Sequence, residues 1–157
     1  MNLCATLCSD HQRLDGVFEA LLNRVHVNDT QAAQATWTEF DRGLTAHIEA
    51  EEASLLPLFE QCDPGEAAVI RGEHAKIKSL LAELGVLLDL HALREDKVAE
   101  FVSFLRAHAA REERVLYQWA ERELPEAPRT SLLQRLHIAE RDPGGQAKVA
   151  KPPAIEG

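Results

Sequence analysis

Apolar residues recur every three or four positions along four long stretches of this chain, and an ionisable residue interrupts each stretch where the repeat calls for Leu. The first stripe reads Leu7, position 11, Leu14, Phe18, Leu21 or Leu22, and Val25. The second reads Trp37, Phe40, Leu44, positions 47 and 51, and Leu55; the third reads Ile70, position 74, Ile77, Leu81, Leu84 and Leu88. The fourth reads Val98, Phe101, Leu105, positions 108 and 112, Val115 and Trp119. The interrupting residues are His11, His47, Glu51, His74, His108 and Glu112. Burying such groups unpaired is costly, so something must satisfy them.

No segment alternates polar and apolar residues over a useful length, which points to an all-α fold. The periodicity predicts helices over about Ser9–Val25, Thr30 (as N-cap) to Leu55 or beyond, Glu66–Leu90 and Asp96–Glu123. Pro57 is expected to kink the second helix or restart it as a short turn ending near Gln61, and Asp63-Pro64-Gly65 reads as a turn. Pro125 and Pro128 break the chain before a short fifth helix over Thr130–Glu140. Four long helices with short links predict an antiparallel up-down-up-down four-helix bundle. The expected bundle domain is 1–140. Residues 141–157, with Pro143, Gly144, Gly145, Pro152 and Pro153, read as a flexible tail.

A chain of 157 residues is one ordinary domain and buries about 70% of its unfolded surface without a covalent staple. With 17 Lys and Arg against 26 Asp and Glu, its formal charge is −9, which argues against nucleic acid and anionic membrane as partners. No stretch approaches 18 consecutive apolar residues, and the first residues lack a positively charged leader. Three cysteines, Cys4, Cys8 and Cys62, are too few and odd in number for a disulfide scaffold, so the expected address is a reducing cytoplasm.

In an antiparallel bundle, His11, His47, His74 and His108 fall about 5–20 Å from one shared end, and the His-x-x-x-Glu spacing puts each pair on one helix face. That geometry permits a single cluster. Four imidazoles and two carboxylates exceed what zinc uses, while calcium and magnesium prefer oxygen. Imidazole with carboxylate suits iron, and six protein ligands suit two ions better than one; manganese or a mixed pair stays open.

At these residues the sequence resembles the hemerythrin-like (HHE cation-binding) family. The matching text is Asp10-His11-Gln12-Arg13-Leu14-Asp15, His47-Ile48-Glu49-Ala50-Glu51-Glu52 with Leu56-Pro57, Glu73-His74, and His108-Ala109-Ala110-Arg111-Glu112-Glu113 with Leu116-Tyr117. The resemblance covers roughly residues 5–122 and implies His11 and His47 on one iron, and His74 and His108 on the other. It further implies that Glu51 and Glu112 bridge the ions together with an oxo or hydroxo oxygen, with manganese or zinc as substitutes. Oxygen-carrying members have a second histidine one turn after the third-helix ligand. This chain has Lys78 there, which puts reversible carriage in doubt and leaves the binding, sensing or storage of oxygen, iron, peroxide or nitric oxide.

Other readings accompany these. Glu52 and Glu113 compete with Glu51 and Glu112, although the apolar phase favours the earlier residue of each pair. Asp15 is either a partner to an imidazole N–H or part of a solvated face, and Tyr117 and Trp119 read as packing residues, with Tyr117 able to donate a hydrogen bond near the site. His26, His91 and His137 read as exposed, with His91 the alternative extra ligand. Cys4, Cys8 and His11 form either a second metal or redox site or, for the thiols, small buried hydrophobes. A peroxidase or oxidase on the same centre, and a histidine-phosphotransfer bundle using His74 and Lys78, are the competing functions. Ferritin-like Glu-x-x-His and zinc-protease His-Glu-x-x-His spacings are absent.

Overall fold

The computed structural model describes residues 2–141. Seven α-helices follow one another, with no strand among the described residues: α1 (Leu3–His26), α2 (Thr30–Ser54), α3 (Leu56–Cys62), α4 (Pro64–Asp89), α5 (Glu95–Arg114), α6 (Leu116–Glu123) and α7 (Glu126–Arg141). The protein is thus an all-α helical bundle. The stretch read as a tail lies, from residue 142 onward, outside the described residues.

Capping explains where the helix boundaries depart from the periodicity. Asn2 accepts the Ala5 N–H through its side chain at 2.9 Å, so α1 begins at Leu3 rather than Ser9. Asp29, not Thr30, caps α2 by accepting from Ala32 at 3.1 Å. The expected turn at Asp63-Pro64-Gly65 is instead the start of α4. Asp63 accepts from Glu66 at 3.0 Å, and Pro64 occupies the first helical position, where its missing N–H costs nothing.

Two helices end in a left-handed residue that is not glycine, Asn28 after α1 (φ 57°) and His91 after α4 (φ 52°). Each sits in the same pair of C-terminal hydrogen bonds: Asn28 N–H to Val25 and Asp29 N–H to Arg24, and His91 N–H to Leu88 and Ala92 N–H to Leu87.

The second and fourth long helices are both broken, by the same backbone device. Leu55 (φ −107°, ψ −55°) separates α2 from α3, and Val115 (φ −108°, ψ −64°) separates α5 from α6. Pro57 signals the first break, as expected; the second carries no proline and is not legible in the periodicity. Beyond it the buried face slips, so that Leu116, Tyr117 and Ala120 are buried while Val115 and Trp119 are only half-buried.

Packing divides the interior into two apolar compartments. One gathers Leu14, Phe18, Phe40, Leu44, Ile77, Leu81 and Phe101. The other gathers Leu3, Leu7, Leu55, Leu56, Phe59, Ile70 and Leu116, and is covered by α7, which begins at Glu126 rather than Thr130 and lies along α2 with Leu132 and Leu136 inward. A Cβ on Gly43 would stand 2.7 Å from Leu14 Cδ2, so the glycine lets α1 approach α2 closely just beside the boundary between the compartments.

A left-handed non-glycine residue costs on the order of 1 kcal/mol, partly offset by the unfolded-state freedom glycine adds. His91→Gly is therefore expected to raise stability by about 0.5–1 kcal/mol in urea unfolding while leaving any bound metal unchanged.

Candidate metal centre

Between the two compartments lies a polar layer made of the six interrupting residues. His47, Glu51, His74, His108 and Glu112 are buried, and His11 is 14% exposed. All six meet, because the early parts of α1 and α4 and the late parts of α2 and α5 stand at one level. Ligand-type atoms of His11, His47, Glu51 and Glu112 lie within 4.8 Å of one another, as do those of His74, His108 and Glu112. Glu112 belongs to both groups. Its Oε1 is 2.9 Å from His74 Nε2 and 2.8 Å from His108 Nε2, and its Oε2 is 3.3 Å from His11 Nε2. Glu51 also spans the layer, with Oε1 3.2 Å from His47 Nε2 and Oε2 3.4 Å from His74 Nε2.

Every one of the four rings points Nε2 inward and gives Nδ1 to a carboxylate on the preceding long helix of the cycle. Asp10 of α1 holds His47 of α2 at 2.7 Å, and Glu52 of α2 holds His74 of α4 at 3.1 Å. Glu73 of α4 holds His108 of α5 at 2.7 Å, and Glu113 of α5 returns to His11 of α1 at 3.1 Å. The ring of contacts closes on itself. Three of its carboxylates are also tied to cations: Asp10 to Arg13, Glu73 to Arg111, and Glu52 to Lys78. Lys78, at the position one turn after His74, therefore acts on that ring through Glu52.

Glu52 and Glu113 are thus not central residues but outer partners. Sequence reasoning missed the ring, although its signal is visible afterwards: each carboxylate is the immediate neighbour of a central residue. Asp15 takes no part; it pairs with Arg106 at 3.3 Å on the surface. Tyr117 is more central than its packing role suggests, with its hydroxyl 2.5 Å from Glu51 Oε1 and 2.9 Å from His11 Nε2.

His26, His91 and His137 are exposed, and His91 lies with Arg24 and Asn28 at the far end of α1, about 20 Å from His11 by helical rise. Cys4 and Cys8 are half-buried with sulfurs 3.9 Å apart, and neither joins the converging atoms among the described residues. Burial, then the nearby Glu113 charge, pushes the Cys8 thiol up to about 12. Complete burial of His74 removes the solvent access that a phosphotransfer histidine requires.

Electrostatics here are set by mutual pairing. Burial pushes His74 down, but hydrogen bonds to Glu112 and Glu51 outweigh it and raise its pKa to about 10. Burial likewise opposes the charge on His47, and the Glu51 charge and the Asp10 hydrogen bond lift it well above its ordinary value. His108 is raised by Glu112 and Glu73 against the same penalty. Burial would raise Glu112, yet bonds from His108, His11 and His74 hold it well below the usual carboxylate range. Burial, with the charges of Glu112 and Glu51, pushes the Tyr117 hydroxyl well up.

The donor set fits a metal. When each Nδ1–H is given to its carboxylate, each neutral ring presents a bare Nε2 lone pair inward, and those of His11 and His47 face each other at 3.1 Å. Glu51 Oε2 is buried and under-satisfied, with His74 Nε2 its close polar neighbour at 3.4 Å. Protons on the rings satisfy this arrangement without metal; cations coordinated by Nε2 and carboxylate oxygen satisfy it without charging the rings.

A family model described as the hemerythrin HHE cation binding domain matches residues 4–139. No curated protein and no solved structure matches the chain. No helix among the described residues is long and apolar enough to cross a membrane.

Without metal, stability should follow these pairings. The stabilisation from a raised His74 is complete below its ordinary 6.5 and lost as the pH climbs through about 10. That from a lowered Glu112 is complete above its ordinary 4.5 and lost as the pH falls. Metal-free protein is expected to be most stable between about pH 4.5 and 6.5, with Tm declining toward pH 10. A Tm that rises over the alkaline interval contradicts this pairing.

Proposed function

The chain belongs to the hemerythrin HHE cation-binding domain family, and from that premise we propose that it is a non-haem di-iron protein that binds, senses or stores oxygen, iron or a related small oxidant. The observation carrying this reading is the double membership of Glu112, which presents one oxygen to the His74–His108 pair and the other to His11. In this reading His11 and His47 would hold one ion, His74 and His108 the other, and Glu51 and Glu112, each reaching toward both pairs, would serve both. A mixed imidazole and carboxylate set of six suits iron better than zinc, which is satisfied by four ligands. Iron held there supplies one-electron redox chemistry and a Lewis-acid centre.

The protein's own residues provide the rest. The rim carboxylates fix each ring's tautomer and aim, so that Nε2 is free for coordination. The compartments on either side keep the layer largely buried, apart from the face where the cavity reaches His11, His47, His108 and Glu112. Lys78 is exposed and engaged with Glu52, so the position one turn after His74 adds no ligand. A second reading, a peroxidase or oxidase on the same centre, is favoured by the cavity that reaches His11, His47 and His108. Peroxide turnover by iron-loaded protein, lost in His74→Ala, would select it.

Anaerobic loading followed by metal analysis is expected to give about two irons per chain, falling to about one in His74→Ala and below one in Glu112→Ala. Exposure to air should produce near-ultraviolet charge-transfer absorption. Uptake of fewer than about one iron by the unaltered protein overturns the proposal, and retention of manganese or zinc in its place overturns the choice of metal.

The ring of carboxylates is tested separately. Asp10→Ala and Glu73→Ala should each weaken metal affinity by about 10–100-fold, whereas Asp15→Ala should leave it unchanged.

A further inference from the structure

A cavity of about 250 Å³ opens beside the polar layer, between α1, α2 and α5. Its walls include Leu14, Leu44, Ile48 and Leu105. Three of these are core side chains, exposed by 3%, 4% and 1% for Leu14, Leu44 and Ile48. Close-packed interiors rarely leave such a space next to core leucines. One side is different in character: there the cavity meets the His11 and His108 rings and Glu112. At its solvent side Asp15 and Arg106, exposed by 47% and 61%, pair at 3.3 Å between α1 and α5.

Size and lining together define a guest. Apolar cavities of roughly 150 Å³ stay dry and take up benzene, so this space is larger than a diatomic molecule requires. Polar groups stand at its two ends: Gln12, Asp15 and Arg106 in the outer lining, and His11, His47, His108 and Glu112 at the histidine layer. Asp15 and Arg106 are paired with each other, and the wall between the two ends is apolar.

We propose that this cavity is a binding site for a neutral organic molecule of about six to ten non-hydrogen atoms, with an apolar body and one hydroxyl-type head (alcohol, phenol or hydroperoxide). The body lies against Leu14, Leu44, Ile48 and Leu105, and the head meets the histidine layer. The Asp15–Arg106 pair borders the entrance and joins the two helices that frame it. The proposal rests on the metal reading only for what the head meets; the cavity and its apolar walls are independent of it.

Phenol is the test ligand, with benzene as the headless comparison, each titrated by ligand-observed NMR into iron-loaded and metal-free protein. Saturable phenol binding is expected, tighter than that of benzene, and weakened about tenfold or more by Leu105→Trp and by Ala109→Leu, which fill the cavity from half-buried wall positions. Circular dichroism confirms that each variant is folded, and Ala109→Leu decides the matter if the larger substitution fails to fold. Absence of saturable phenol binding, binding indifferent to the filling substitutions, or benzene binding as tight as phenol overturns the proposal. Iron content is measured on the same samples. Two irons with no phenol binding defeat only the cavity; phenol binding that the variants abolish in a protein that takes up no iron defeats only the metal reading.

Discussion

A closed ring of carboxylate–histidine contacts holds this bundle's interior in one arrangement. Each of α1, α2, α4 and α5 lends an acid to the histidine of the next, from Asp10 to His47, Glu52 to His74, Glu73 to His108, and Glu113 back to His11. Four buried or nearly buried imidazoles would be a serious liability in an apolar core. The ring turns them into a cross-brace, because moving any one helix along its axis pulls two of these contacts at once. It also decides which nitrogen of each ring looks inward.

Around that layer the fold is built in two apolar halves, and each half meets the layer differently. On one side Phe18, Phe40 and Phe101 pack with centroids 4.9 to 6.0 Å apart, making an aromatic plug beneath the histidines. On the other, α3 and α6 begin directly after the breaks at Leu55 and Val115 and close the layer with Leu55, Leu56, Leu116 and Tyr117. The two His-x-x-x-Glu-Glu segments therefore share their surroundings as well as their spelling: an inward glutamate, an outward glutamate, a break, and a short helix carrying large side chains back over the site. Only the second places a tyrosine hydroxyl into the centre.

The layer is not evenly guarded. Asp10, Glu52 and Glu73 each have a cation behind them, whereas Glu113 stands beside the Cys8 thiol, and His11 is the ring that retains some exposure. The cavity approaches from this same side. The polar layer is thus braced by cations at three of its corners and more accessible at the fourth. Charge balance is built into the layer: the buried glutamates raise the pKa values of His47, His74 and His108, and the rings hold Glu112 low in return.

The sequence by itself determined the helices and the six inward positions, since a period of 3.6 interrupted by His and Glu is a local signal that any single helix displays. It also marked the break at Pro57. The break at Val115 left no such mark, because nothing in its side chains forbids a helix there. Tertiary structure alone decided the roles of Asp10, Glu52, Glu73 and Glu113: each partner lies on another helix, so no spacing along the chain encodes the contact. The central place of Tyr117 and the open space beside Leu105 were likewise settled by packing. Periodicity tells which side chains face inward, while their partners depend on the distance, height and rotation of neighbouring helices, and only the assembled bundle fixes those.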